Sequence, residues 1–97
     1  MPRLILSWEA KTGLERCQSH LKTRNPEASR RASETIRRAF RNLRVHPEIG
    51  RPFDRDLSQR ELVIPFGDSG YTALYRFDAV SDAIVILAFR HQKEAGY

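Results

Sequence analysis

The chain has 97 residues, enough to bury one hydrophobic core and too few for two independent domains. Cys17 is its only cysteine, which excludes an intrachain disulfide and a structural zinc site built from a Cys/His ligand set. The 17 lysines and arginines against 12 acidic residues give a net charge of +5, which favours a polyanionic or acidic partner such as nucleic acid, the ribosome or an acidic protein segment.

The N-terminal residues predict a strand followed by a helix. Leu4, Leu6 and Trp8 recur at every second position, as on a strand with one apolar face. The apolar run at residues 4–6 is far too short for a signal peptide or a membrane span, so we expect a cytoplasmic protein with no membrane partner. Four apolar residues then recur at steps of four, three and four, which is typical of one helical face: Ala10, Leu14, Cys17 and Leu21.

A second helix is predicted directly after the first. Asn25 is a good N-cap and Pro26 suits the first helical position, so the connection is very short and the two helices form an antiparallel hairpin. Residues 45–47 end the second helix, because the residue before Pro47 avoids helical backbone angles. The arginines on the polar faces of this helix could contact nucleic acid, but without interleaved aromatic residues the interpretation we favour is an ordinary solvated surface.

Three strands are predicted after an irregular link at residues 44–58. They are Arg60 to Phe66, Tyr71 to Asp78 and Ala83 to Arg90, and residues 84–89 are all apolar, as in a strand buried on both faces. The order β-α-α-β-β-β predicts an α+β fold, a single domain over residues 1–97. In it, a helical hairpin packs on a mostly antiparallel four-stranded sheet.

Side chains that can carry charge or move protons follow the last strand. Arg90 and His91 come first, and Tyr97 ends the tail. If Asp68-Ser69 centres one hairpin and Val80-Ser81 the next, Glu61 falls opposite Arg76 and Tyr71 opposite Arg90.

Glu61, Arg76, Arg90 and His91 could then gather on the open side of the sheet. A base, arginines that neutralise a phosphate and a nearby tyrosine are what RNA cleavage at a 2′-hydroxyl needs. The simpler interpretation, which we favour, is an exposed Glu61–Arg76 ion pair that contributes little. His91 could exchange protons near neutral pH, although a lone histidine at a strand end is more often a surface residue.

Short motifs extend in a characteristic order over nearly the whole chain. They are Trp8 with Ala10 and Leu14, Asn25-Pro26 with Ala28, Pro47-x-x-Gly50-Arg51-Pro52, Arg60-Glu61-Leu62-Val63, Tyr71-x-x-x-Tyr75-Arg76 and Ile86-Leu87-x-x-Arg90-His91. Together they resemble the RelE/ParE superfamily of bacterial toxins. The resemblance implies the small β-α-α-β-β-β fold and a cognate antitoxin that is acidic, partly disordered and DNA-binding. It also implies growth arrest when that antitoxin is degraded.

The superfamily has two functional branches. RelE-like members cleave mRNA in the ribosomal A site without a metal, whereas ParE-like members poison DNA gyrase and lack the nuclease residues. Neither branch implies a cofactor or a metal site.

Compared position by position, the resemblance to the RelE-like branch is mixed. Its late-strand basic or imidazole position falls on His91, and its C-terminal tyrosine falls on Tyr97. Thr72 stands where that branch has an arginine, and Val63 and Pro65 stand where it has lysines. A nuclease without those cations loses most of its transition-state charge stabilisation.

We therefore favour a ParE-like toxin that inhibits DNA gyrase, with Arg51, Arg60, Arg90 and His91 expected to contact the target. The alternative is a RelE-like ribonuclease acting on mRNA at the ribosome, with catalytic residues His91, Tyr97, Arg90, Arg76 and Glu61. A third interpretation is a small non-toxic adaptor that only holds its partner.

Overall fold

The computed structural model describes residues 1–94, which contain two helices and five strands. In chain order they are β1 (Arg3–Leu6), α1 (Trp8–Arg24), α2 (Pro26–Val45), β2 (Arg51–Pro52), β3 (Arg60–Phe66), β4 (Ser69–Asp78) and β5 (Ala83–His91). Within these residues, neither helix has the length and apolar character needed to cross a bilayer.

The five strands form one sheet in the order β1-β5-β4-β3-β2. β1 pairs with β5 in parallel, and every other pair is antiparallel, so the predicted α+β architecture is confirmed. The sheet has one strand more than predicted, because two residues of the link, Arg51 and Pro52, pair with β3. A two-residue strand leaves no periodicity in the sequence, and an edge position tolerates a proline, which has no N–H to donate.

Ser7 determines where β1 ends and α1 begins. Its Oγ accepts a hydrogen bond from the Ala10 N–H at 3.1 Å and donates one to the carbonyl of Leu87 on β5, also at 3.1 Å. Trp8 is therefore the first residue of α1 and is 76% exposed, so its prediction as part of the first strand is wrong. The alternation of apolar residues continues past the N-cap Ser7, so it does not show where the strand ends and the helix begins.

Asn25 makes the predicted connection between the helices. Its backbone N–H donates to the Leu21 carbonyl at 2.7 Å, and its side-chain oxygen accepts from the Ala28 N–H at 3.1 Å. One residue thus ends α1 and starts α2, with Pro26 in the first turn of α2.

Both helices cover the same face of the sheet. Alternate residues of each strand point towards them and form the core together with α1 and α2, the largest fully buried side chains being Tyr75, Leu43, Ile64, Ile84 and Ile86. α1 lies very close to β5 at Gly13, where an added Cβ would be 2.1 Å from the Phe89 carbonyl oxygen. We call the opposite side of the sheet the open face.

The observed β3–β4 register corrects one predicted cross-strand pair. The turn is Gly67-Asp68, and Phe66 pairs with Ser69, so Glu61 lies opposite Leu74 and not opposite Arg76. Gly67 has a φ of 63°. A two-residue hairpin with a type II′ turn requires a positive φ at its first loop position. The prediction had centred the turn one residue too late.

A β-bulge in β5 corrects the second pair. Leu74 pairs with Ala88 and Tyr75 with Ile86, so Leu87 between them has no partner on β4. Its carbonyl accepts from Ser7 instead. The extra residue shifts the remainder of the ladder, and Tyr71 lies opposite His91 and not opposite Arg90.

Candidate functional site

A cavity of about 570 Å³ lies between α1, the β3–β4 hairpin and the residues that follow β5. Phe66, Tyr71 and Leu21 contribute apolar lining, while Arg16 and Lys93 contribute exposed cations. The chain therefore leaves its buried last strand at a cavity with mixed chemistry, and an apolar surface with a few polar groups is typical of a binding site.

His91 lies on the helix-facing side of the sheet, at this cavity. Its ring packs edge-on against Tyr71 with centroids 5.5 Å apart, and its Nε2 lies 3.1 Å from Ser69 Oγ. Its Nδ1 accepts a hydrogen bond from the backbone N–H of Lys93 at 3.1 Å. Because Nδ1 is the acceptor, the neutral ring carries its proton on Nε2 and donates it to Ser69. Both ring nitrogens therefore have partners within the protein.

The predicted gathering of His91 with Arg90, Arg76 and Glu61 on the open side is wrong. Successive strand residues point to opposite faces, so Arg90 and His91 diverge. His91 also shares its row of the sheet with Tyr71, whereas Glu61 lies in the row of Leu74.

Arg90 orders the segment that follows β5. Its Nη1 donates to the carbonyls of His91, Gln92 and Glu94 at 3.2, 3.3 and 2.9 Å. Across the open face it lies opposite Thr72, whose buried Oγ1 has no hydrogen-bond partner among the described residues. In this structure Arg90 therefore binds carbonyl groups of its own chain. Its contact with a phosphate or with a target stays a prediction.

Glu94 joins the end of the described chain to α1. Its Oε2 accepts from Arg16 Nη2 at 2.6 Å, and its Oε1 accepts from the Cys17 thiol at 3.8 Å and from the His91 N–H at 3.4 Å. Partial burial opposes its ionisation, but the hydrogen bonds from Arg16 and His91 outweigh that effect and hold the pKa of Glu94 below its usual value. Sequence reasoning missed this contact, because no pattern links residues 78 positions apart.

Cys17 is buried beside the cavity and is a poor nucleophile. Burial, and secondly the charge of Glu94, raise the pKa of its thiol from 9.0 to about 11, so it stays protonated at neutral pH. Burial also raises the pKa of the Tyr71 and Tyr75 phenols.

These raised pKa values predict loss of stability in alkali. The unfolded chain releases the Cys17 proton near pH 9, while the folded chain keeps it to about pH 11, so the free energy of unfolding falls as pH rises through this window. Cys17 alone should account for roughly 2 kcal/mol, measured by urea unfolding at pH 8 and pH 11. Cys17→Ala should lose less stability over the same interval, with the remaining loss due to the tyrosines. An equal loss in both proteins would contradict the assignment to Cys17.

Glu61 is held by Arg51 and not by Arg76. Nε and Nη2 of Arg51 both donate to Glu61 Oε1, at 2.9 and 2.5 Å. The Glu61 side chain is 9% exposed and that of Arg51 is 64% exposed, so a nearly buried carboxylate is neutralised from the solvent side. The ion pair fixes β2 onto β3.

The remaining predicted arginines have separate positions. Arg60 donates to the carbonyls of Glu48 and Gly50 at 3.1 and 2.8 Å and so holds the link before β2. Arg76 is exposed and lies opposite Val85, away from His91.

Tyr97 lies outside the described residues. Among residues 1–94, no group of three or more His, Cys, Asp or Glu side chains is placed to hold a metal ion.

Two comparisons with known proteins give matches over nearly the whole chain. The sequence model of the family described as "ParE toxin of type II toxin-antitoxin system, parDE" matches residues 4–96. The chain is also similar to Toxin RelE3 of Caulobacter vibrioides, with 33% identity over 94 residues that cover 97% of this chain and 98% of that protein.

Proposed function

Because the chain belongs to the ParE toxin family of type II toxin-antitoxin systems, we propose that it arrests growth by inhibiting DNA gyrase in the cytoplasm. The observation that carries the choice of target is the dispersal of the groups a nuclease would need. His91 is on the helix-facing side with both nitrogens hydrogen-bonded, and Glu61 is neutralised by Arg51. The resemblance also places Val63, Thr72 and Pro65 at positions where the RelE-like branch is expected to have cations.

This arrangement is poorly suited to metal-independent RNA cleavage. Such a reaction needs a proton acceptor and phosphate-neutralising cations placed around the same phosphodiester. Arg90 and Arg76 are on the open face, and His91 is not. The second candidate function is cleavage of mRNA at the ribosome, as in the RelE-like branch, and the similarity to a protein named Toxin RelE3 favours it.

Purified components distinguish the two targets. We expect the toxin, separated from its antitoxin, to inhibit supercoiling of relaxed plasmid by gyrase and to leave mRNA on stalled ribosomes intact. A primer-extension assay that reveals specific cuts in the ribosomal A site would overturn the gyrase proposal.

Induction in cells gives a further expected result. Without the antitoxin, growth should stop, and pulse-labelling should show that DNA synthesis falls before protein synthesis. Unimpaired colony formation, with soluble toxin confirmed on a gel, would instead favour the non-toxic adaptor.

The variant His91→Ala distinguishes the two candidate functions by how much activity it loses. Under the gyrase proposal it removes contacts to Ser69 and Lys93, so toxicity should fall only partially. Under the ribonuclease alternative it removes the proton-transfer group and should abolish cutting while antitoxin binding persists. Ser69→Ala is the matched control, since it removes the same hydrogen bond without removing the imidazole.

The expected antitoxin is an acidic, initially disordered segment. Several large apolar side chains are exposed on the described surface, among them Ile5, Trp8, Val45 and Ile49 at 40 to 76%. A folded partner segment that covers them would remove apolar area from water, and its acidic residues would complement the net charge of +5.

A further inference from the structure

Charge is distributed unevenly along α2. In its first half, Arg30 contacts Glu27 and Glu34 at 2.6 and 2.9 Å, and Arg31 contacts Glu27 at 3.8 Å. Residues 35–45 include no acidic side chain. Three exposed arginines in this half, Arg37, Arg38 and Arg41, make no ion pair with any residue in the range 1–94. We call these three residues the arginine stripe.

Stabilisation of the helix itself does not explain the stripe. Cations favour the C-terminal end of a helix because of its macrodipole, but the effect falls off within the last turn. Arg44 is the basic residue in the last turn of α2, and its Nε also donates to the Pro2 carbonyl at 2.9 Å. Arg37 and Arg38 lie about two turns before the end of α2, beyond the range of that effect.

The stripe is held on a rigid support. Ile36 and Leu43 on the opposite side of α2 are 4% and 0% exposed and belong to the core. Arg37 and Arg41 are one turn apart on the same side of the helix, and Arg38 is three residues before Arg41. Three positive charges are thus carried by neighbouring positions on the exposed side of a helix that the core holds in place.

We propose that the arginine stripe binds the phosphate backbone of duplex DNA without regard to sequence. The stripe spans about 6 Å of the helix axis at 1.5 Å per residue. Duplex DNA carries a phosphate charge about every 1.7 Å along its axis, so three to four phosphates lie within that length. Three full positive charges also exceed the charge of about −0.5 that the helix dipole places at its C-terminal end.

Duplex DNA fits this surface better than a single strand or an acidic protein. Single-strand binding relies on exposed aromatic side chains for base stacking, and the one aromatic residue of this half-helix, Phe40, is half-buried and packs edge-on against Phe89. An acidic protein segment usually adds apolar anchors, whereas the stripe itself consists of cations and the exposed apolar Val45 lies one turn beyond Arg41. For a toxin that acts on gyrase, the same contact would hold it near DNA-bound enzyme, although the inference depends only on the charge distribution.

Fluorescence anisotropy with a labelled 20-base-pair duplex of arbitrary sequence tests the proposal. The three proteins are the wild type, the stripe variant Arg37→Gln/Arg38→Gln/Arg41→Gln, and a control variant Arg16→Gln/Arg30→Gln/Arg31→Gln. The control also removes three positive charges, but it removes them from arginines that already pair with carboxylates. Thermal unfolding by circular dichroism verifies that both variants are folded.

The wild type should bind, and the stripe variant should bind at least tenfold more weakly at 50 mM salt. Its slope of log K against log salt concentration should be shallower by about 2 to 3, whereas the control should keep nearly the wild-type slope. Equal losses in the two variants would show that only net charge matters and would overturn the proposal. Tighter wild-type binding to duplex RNA or to poly-glutamate would equally overturn the assignment to DNA.

Discussion

Gly13→Ala should destabilise the protein by about 3 kcal/mol, a large effect for a single added methyl group. A Cβ at Gly13 would lie 2.1 Å from the Phe89 carbonyl oxygen and 3.2 Å from its carbon. Both are backbone atoms in a central strand, so the clash can be relieved only by moving α1 away from β5. Alanine would gain about 1 kcal/mol in helix propensity, which is smaller than the packing loss.

Urea unfolding measures this effect, and Thr12→Ala is the matched control. Thr12 is the preceding residue of α1 and is exposed, so its replacement adds no contact with β5. The control should be as stable as the wild type or slightly more stable. A Gly13→Ala protein with an unchanged urea midpoint would mean that the helix can move away from the sheet at little cost.

Tyr75→Phe should cost about 2 kcal/mol although it removes one oxygen atom. The Tyr75 hydroxyl accepts from the Gly50 N–H at 2.9 Å and donates to the Pro47 carbonyl at 2.8 Å. The residue is fully buried, so phenylalanine would leave a buried N–H and a carbonyl without partners. These two groups belong to the link before β2, which the hydroxyl fastens to β4.

Tyr71→Phe is the control for that prediction. Tyr71 is on the same strand, faces the same side and is 4% exposed, yet within residues 1–94 its hydroxyl makes no hydrogen bond. Its replacement should change the free energy of unfolding by less than about 0.5 kcal/mol. Equal losses for the two variants would mean that ring packing, and not the hydroxyl contacts of Tyr75, determines the effect.

Local sequence patterns predicted most of the fold. The hairpin connection followed from Asn25 and Pro26, whose capping chemistry acts over three or four residues. The three later strands followed from apolar runs between turn residues. Trp8 was assigned to the first strand because the alternation of apolar residues continues past Ser7, where the strand has already ended. The bulge at Leu87 was missed because the contact that supports it, from Ser7, is 80 residues away in sequence.

The candidate site was less predictable, because one residue of register decides which face a side chain occupies. His91 was identified from its place after an apolar strand, but its contacts with Ser69 and Tyr71 depend on the bulge. Arg51 was expected to contact a target. In the structure it binds Glu61, because Arg51 and Pro52 form a strand that is too short to recognise in the sequence. Arg16, Cys17 and Glu94 come together only through tertiary packing of α1 on β5, which no local pattern encodes.

The position of β5 in the sheet determines when this protein can fold during its synthesis. β5 is the last of the five strands to be translated, yet it lies between β1 and β4 and packs under α1. Until it leaves the ribosome, β1 has no strand to pair with and the apolar side of α1 has no sheet beneath it. Pairing of β1 with β5 also closes a loop of about 80 residues, a non-local step that is slow compared with forming the helical hairpin. A growing chain therefore cannot close its sheet until residues 83–91 have left the ribosome.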